Sequence, residues 1–234
     1  MKIGLLGAAG RMGVAIKALT DTMDLERIDD APDDLDVVID FSSPDGTKAA
    51  ALWCAAHQVP LVTGTTGLDG DELAAVREAS TKVAIVQSGN MSLGITLLKR
   101  LVQDAAAALR GFDIEILETH HKHKKDSPSG TALLLGEVAA RARGTALSEA
   151  ARFARHGREE TRKADEIGFA VRRGGGIFGE HDVSFMSEGE TISLSHQALS
   201  REAFARGAVT AAHWVAGKPA GLYGMDDVLD LPAA

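Results

Sequence analysis

Met1-Lys2-Ile3-Gly4-Leu5-Leu6-Gly7-Ala8-Ala9-Gly10-Arg11-Met12-Gly13 is a short apolar run stopped by glycines, and Val14 to Leu19 continues it with helical spacing. The order is therefore strand, glycine turn, helix. Further along, Asp36 to Phe41 reads as a second strand, Ser42-Ser43-Pro44-Asp45-Gly46 as a turn, and Thr47 to His57 as an Ala-rich helix. The unit then repeats, with strands at Pro60 to Thr63 and Val83 to Val86 around a helix from Asp69 to Ser80. Strands alternating with helices predict a doubly wound parallel sheet of the Rossmann-like α/β class. It spans residues 1–91.

The glycines follow the spacing G-x-x-G-x-x-G rather than G-x-G-x-x-G, yet they do the same work: a tight turn, close backbone approach to a pyrophosphate and snug helix-on-strand packing. Gly7, Ala8, Ala9, Gly10, Arg11 and Met12 are accordingly candidate dinucleotide contacts. Ligands bind at the carboxyl ends of parallel strands, so Gly64-Thr65-Thr66-Gly67 and Ser88-Gly89-Asn90-Met91 are candidate cofactor loops as well. An acidic residue for the ribose is expected at the tip of the next strand, but only fourteen residues, Thr22 to Leu35, separate the first helix from the strand at Asp36. Leu25-Glu26-Arg27-Ile28 could supply a short strand that brings Glu26, Arg27, Asp29 or Asp30 to the ribose. A surface connection with unspecific charges fits equally well.

After a long helix running to about Arg110 the pattern changes. Asp113 to Leu117 alternates with period 2, and Ile167 to Val171, Asp182 to Met186 and Thr191 to Ser195 are β-rich, with no helix between these last three. This predicts a second α+β domain, residues 92–200, with a mostly antiparallel sheet. A last helix, Glu202 to Ala216, and the tail Gly221 to Leu229 are expected to return to the first domain, which then includes 201–234. Residues 145–165, rich in Arg and Glu without a period, read as a solvated surface segment.

Glu118-Thr119-His120-His121-Lys122-His123-Lys124-Lys125-Asp126-Ser127-Pro128-Ser129-Gly130-Thr131-Ala132 gathers proton-transfer groups, cations and a helix start. Ser129 precedes an Ala/Leu-rich run and reads as an N-cap, leaving the amides of Gly130 and Thr131 as an anion seat. A metal site is the rival reading of His120, His121 and His123, opposed by Lys122, Lys124 and Lys125, and no resident metal is expected. His181 and His196 read as hydrogen-bonded structural histidines. A formal net charge of −8 and 4% aromatic content argue against a nucleic-acid partner. The single cysteine, Cys54, lies in an apolar helical stretch and reads as a core residue. With no signal peptide and no apolar run that spans a bilayer, a cytoplasmic location without membrane association is expected.

Together these residues resemble the dihydrodipicolinate reductase (4-hydroxy-tetrahydrodipicolinate reductase) family of diaminopimelate and lysine biosynthesis. The resemblance rests on Gly7 to Gly13, Gly64 to Gly67, Glu118 to Ala132, Ile167 to Arg172 with Gly179-Glu180-His181, and the tail from Gly221. It implies reduction of a small cyclic dicarboxylate by NADH or NADPH, in a homotetramer assembled through the sheets of the second domains. It also implies His120 as proton donor/acceptor, Lys124 as proton donor and substrate contact, and His121, Gly130 and Thr131 as further substrate contacts, with the helix start at Ser129 receiving a carboxylate. The chain departs from the family pattern where the ribose-reading second strand and its following segment are expected, which predicts altered cofactor affinity or selectivity. A nucleotide sensor that kept the fold and lost turnover, or a dehydrogenase of a related dicarboxylate, are the alternatives.

Overall fold

The computed structural model describes residues 1–158 and 161–231. The chain divides into two compact units, Met1–Leu93 with Arg201–Ala234, and Gly94–Ser200. No helix among the described residues is long and apolar enough to cross a membrane.

In the first unit β1 (Ile3–Leu6), α1 (Arg11–Lys17), β2 (Met23–Leu25), β3 (Val37–Asp40), α2 (Pro44–His57), β4 (Leu61–Thr63), α3 (Gly70–Ser80) and β5 (Ala84–Gln87) come in order. The second unit consists of α4 (Leu93–Ala108), β6 (Asp113–His120), α5 (Gly130–Ala142), α6 (Leu147–Ala150), β7 (Ala151–Arg152), β8 (Ile167–Arg173), β9 (Gly179–Met186) and β10 (Thr191–Ala198). The chain then returns to the first unit as α7 (Glu202–Val215), β11 (Gly221–Tyr223) and α8 (Met225–Val228).

The first sheet has the order β11-β5-β4-β3-β1-β2, and every pairing is parallel. Because both faces are covered, its strands read as unbroken apolar runs. Leu5, Ile39, Val62 and Val86 pack under α7, whose Ala205, Ala208, Ala211 and Ala212 are buried, while Leu6, Val38, Leu61 and Ile85 meet Ala50, Ala51, Cys54 and Val76 of α2 and α3. The small residues of α7 allow close approach, and at Gly207 a Cβ would come within 1.7 Å of the Met91 carbonyl oxygen. Helix α2 begins earlier than the sequence predicts. Ser43 caps it, accepting the Gly46 amide at 3.2 Å, and Pro44 occupies the first turn, where a missing N–H costs nothing.

The second strand is present, contrary to the expected gap. It is Met23–Leu25, two residues ahead of the stretch Leu25 to Ile28, and it pairs in parallel with β1 from Gly4↔Met23 to Leu6↔Leu25. A single 3-10 turn, Ile28–Asp30, and a loop without a helix connect it to β3. Leu25, Ile28 and Leu35 are buried anchors, and at Gly4 a Cβ would collide with the side chains of Leu35 and Leu25.

The second sheet has the order β10-β9-β6-β8-β7. Its β10-β9-β6 half is antiparallel, and β8 joins β6 in parallel because α5 lies in the connection between them. One face carries Ile114, Ile116, Phe169, Val183 and Phe185 against Leu98, Val102, Leu135 and Ala139 of α4 and α5. The other face is polar, with Asp182, Ser184, Ser193 and Ser195 hydrogen-bonded across β9 and β10. The 145–165 segment is more tied down than a solvated surface. Arg155 makes a bidentate pair with Glu115 at 2.9 and 2.8 Å, and Arg162 reaches the Ile114 carbonyl at 3.0 Å; residues 159 and 160 of this stretch lie outside the described residues.

Candidate active site

The loops after β1, β3, β4 and β5 leave the carboxyl edge of the first sheet. Between β1 and β3 the chain reverses its winding direction, which in open α/β sheets opens the ligand crevice. Gly7 has φ +77°, a left-handed conformation, and a Cβ there would meet the Phe41 carbonyl oxygen at 2.4 Å. At Gly13 a Cβ would meet the Gly7 oxygen at 2.4 Å, so the start of α1 lies directly on the turn. At Gly64 it would strike the Phe41 ring at 2.2 Å, and at Gly89 it would lie 4.0 Å from the Thr66 methyl group. The structure thus brings Gly7 to Met12, Gly64 to Thr66 and Ser88 to Met91 to one edge, with Ala9, Gly10 and Arg11 exposed.

The carboxylate that ties the loop after β4 to the loop after β3 is Asp40, at the end of β3 and fully buried. It accepts the Ser42 amide at 3.0 Å, the Thr63 hydroxyl at 2.9 Å, the Thr65 hydroxyl at 3.0 Å and the hydroxyls of Ser42 and Thr47. Sequence reasoning misses Asp40 and Phe41, which read only as the end of a strand. At the carboxyl end of β2, Glu26 and Arg27 occupy the place of the expected ribose contact, and Arg27 pairs with Asp29 at 2.8 Å.

In the second unit the period-2 alternation of β6 carries on through its last residue, so that Ile114, Ile116, Glu118 and His120 share the inner face. Glu118 is fully buried. Its carboxylate lies 2.7 Å from His120 Nδ1, accepts the Ser129 amide at 2.9 Å, and receives the Arg173 guanidinium on both oxygens at 2.7 and 2.8 Å. Burial pushes the Glu118 carboxyl up, but the bonds from Arg173, His120 and Ser129 outweigh it and hold it below the usual carboxylate range. Burial draws His120 below the ordinary imidazole value, with Glu118 opposing and Lys124 and Arg173 reinforcing the shift. Ser129 caps α5, accepting the Ala132 amide at 3.1 Å, and its hydroxyl lies 3.0 Å from His181 Nε2. His181 packs edge-on to His120, ring centroids 5.2 Å apart, and burial, with the neighbouring His120, pushes it down to about 3.

Lys124 Nζ lies 2.9 Å from the Asp126 carboxylate. Asp126 lies near the start of α5, where the Gly130 backbone also favours its charged form. Burial raises Asp126, and Lys124 together with the backbone donors brings it below its ordinary value. His121 is held by its amide to the Ile177 carbonyl at 2.7 Å, and His123 lies beyond it, ring centroids 6.2 Å apart. Among the described residues no three His, Cys, Asp or Glu side chains form a metal-binding group. Arg173 escapes the sequence reading because an Arg172-Arg173 pair at a strand end looks like a solvated charge.

Two family profiles match the chain: "Dihydrodipicolinate reductase, N-terminus" over residues 20–91 and "Dihydrodipicolinate reductase, C-terminus" over 94–229. The first leaves the glycine turn outside its matched range. A protein of Caulobacter vibrioides described as 4-hydroxy-tetrahydrodipicolinate reductase is 48% identical over 249 aligned positions, covering 98% of this chain and 97% of the relative. That alignment is longer than the 234-residue chain, so the relative has residues with no counterpart here. A protein of Anaeromyxobacter dehalogenans with the same description is 51% identical over 197 positions, covering 84% of this chain and 73% of the relative. Among solved structures, dipicolinate-bound dihydrodipicolinate reductase from Paenisporosarcina sp. TG-14 superposes with a TM-score of 0.76 at 23% identity, covering 97% of this chain and 98% of that one, a likeness of fold.

Proposed function

The chain belongs to the dihydrodipicolinate reductase family, and on that premise we propose that it reduces 4-hydroxy-tetrahydrodipicolinate, by way of dihydrodipicolinate, with NADH or NADPH in diaminopimelate and lysine biosynthesis. The observation that carries the reading is the buried cluster of Glu118, His120, Arg173 and Ser129 beside Lys124 and the start of α5, which joins an acid/base group to an anion seat.

The edge loops of the first unit fit a dinucleotide, because the left-handed Gly7 and the spaces a Cβ would fill at Gly7 and Gly13 leave bare backbone at the end of β1. Gly7 to Met12 would take the pyrophosphate, and Gly64 to Thr66 with Ser88 to Met91 the nicotinamide half. Glu26 and Arg27 stand where the adenosine ribose is read, and with the shortened connection behind them they set the choice between NADH and NADPH. When bound, the nucleotide supplies a hydride.

The second unit supplies the remaining chemistry. A carboxylate of the substrate is received by the Gly130 and Thr131 amides at the start of α5, and competes with Asp126 for Lys124. Lys124, His121 and the helix start then stabilise the negative charge that develops toward the ring nitrogen and carboxylates. His120 and Lys124 are the acids placed to protonate the product, and Ser129 holds the corner between β6 and α5. The polar open face of β10, β9 and β6 is the surface for assembly into a homotetramer.

The experiment is turnover with substrate made in situ from pyruvate and aspartate semialdehyde by the preceding synthase. Oxidation of NADH or NADPH that depends on the synthase is the expected result. A folded sample that oxidises neither nucleotide would point to a sensor that has lost turnover.

A further inference from the structure

We propose that Glu118 is a positioning residue for His120: it holds the imidazole with its proton on Nδ1, so that Nε2 is the nitrogen that exchanges protons, while Arg173 offsets the carboxylate's charge. The proposal rests on the reading of His120 as the acid/base.

Every contact of the Glu118 carboxylate is with a donor. Arg173 Nη1 and His120 Nδ1 share Oε2, and Arg173 Nη2 and the Ser129 amide share Oε1, all within 2.7 to 2.9 Å. Guanidinium and amide can only donate, so Glu118 has no room for a proton of its own and can only accept from the imidazole. The proton between them therefore belongs to Nδ1. That leaves Nε2, which has no hydrogen bond to the protein and is not among the buried unpartnered atoms. Nε2 lies against Gly179, where a Cβ would approach it to 3.0 Å, a tight contact that the glycine avoids.

A lone buried carboxylate at this distance would hold the imidazolium and make it a reluctant acid. The bidentate guanidinium cancels that charge. The other charged or titratable groups facing His120 are Lys124 from the loop after β6 and His181 from β9; Lys124 adds repulsion, and His181, pushed down to about 3, adds no charge near neutral pH. From α5 comes only the uncharged Ser129. The two members of the ion pair thus act on His120 in opposite directions.

The test is nitrogen-detected NMR of the full chain with labelled histidine, without substrate, so that it does not depend on turnover. The wild-type protein should show His120 as the Nδ1–H tautomer. In Glu118→Gln the amide oxygen should stay with the fixed Ser129 N–H, turning the NH2 group toward Nδ1, so His120 should switch to the Nε2–H tautomer and titrate lower. In Arg173→Met it should keep its tautomer and titrate higher, by on the order of one pH unit, and the acidic limb of kcat should move the same way. An Nε2–H tautomer in the wild type, or titrations that shift together in the two variants, would overturn the proposal. The wild-type tautomer decides it even if a variant fails to fold. Full turnover by His120→Ala would instead overturn the underlying reading, and the proposal with it.

Discussion

Removing the Asp40 carboxylate should loosen the loops after β3 and β4, at the edge proposed to take the nucleotide. Asp40 accepts from Thr47 and Thr63, both fully buried, as well as from Thr65, the Ser42 amide and the Ser42 hydroxyl. In Asp40→Ala the two buried hydroxyls lose their acceptor. At roughly 1–3 kcal/mol for each unsatisfied buried group, the loss is about 2–6 kcal/mol, a large part of the stability of an ordinary domain. In Asp40→Asn the hydroxyls can rotate to accept from the new NH2 group, and only the charge assistance is lost, about 1–2 kcal/mol. Urea unfolding of the three proteins measures the order wild type, Asn, Ala. Fluorescence titration with NADH and NADPH under native conditions measures the second consequence, weaker binding in Asp40→Asn, because the bonds holding Thr65 and the loop after β3 lose their charge assistance. An alanine variant within about 0.5 kcal/mol of wild type, or an asparagine variant with unchanged nucleotide affinity, would refute the reasoning.

Two further outcomes concern the second unit. His120→Ala should lower kcat about 10²- to 10⁴-fold while leaving KM for the dicarboxylate within a few fold, which steady-state kinetics resolves. His181 is held at about 3 in the folded protein against 6.5 as a free imidazole, so the unfolded chain protonates first as pH falls below 6.5 and the folded state loses stability. This amounts to about 1 kcal/mol between neutral pH and about pH 5.5. His120 and His196, also lowered by burial, add in the same direction, whereas the stability Glu118 contributes is lost only as pH falls below its unfolded value of 4.5. Urea unfolding at both pH values, with His181→Gln as the comparison, should show a smaller pH dependence in the variant.

How much of the fold is legible in the chain depends on how local each signal is. The run Ile3 to Leu6 before the glycines, the alternation that carries β6 up to His120, and the serine that caps α5 are all set by neighbours within a few residues. Sequence pattern places strand β2 two residues late because three residues give no period, and its anchor Leu25 packs beside Leu35, ten residues away. The start of α2 carries a signal, serine before proline, but the same residues also spell a turn. Asp40 and Arg173 are hidden for another reason. Their partners lie as much as 25 and 55 residues away, and a pairing of that range exists only once the sheets have formed.

The proposed activity requires the corner between β6 and α5 to seat a dicarboxylate beside His120. Titrating pyridine-2,6-dicarboxylate into the isotopically labelled protein, in the presence of nicotinamide nucleotide, tests it most directly through the amide and imidazole signals. Saturable shifts should be largest at Gly130 and Thr131, with His120, His121 and Asp126 moving alongside. Saturable binding that leaves Gly130 and Thr131 unmoved, or no binding with either nucleotide present, would contradict it.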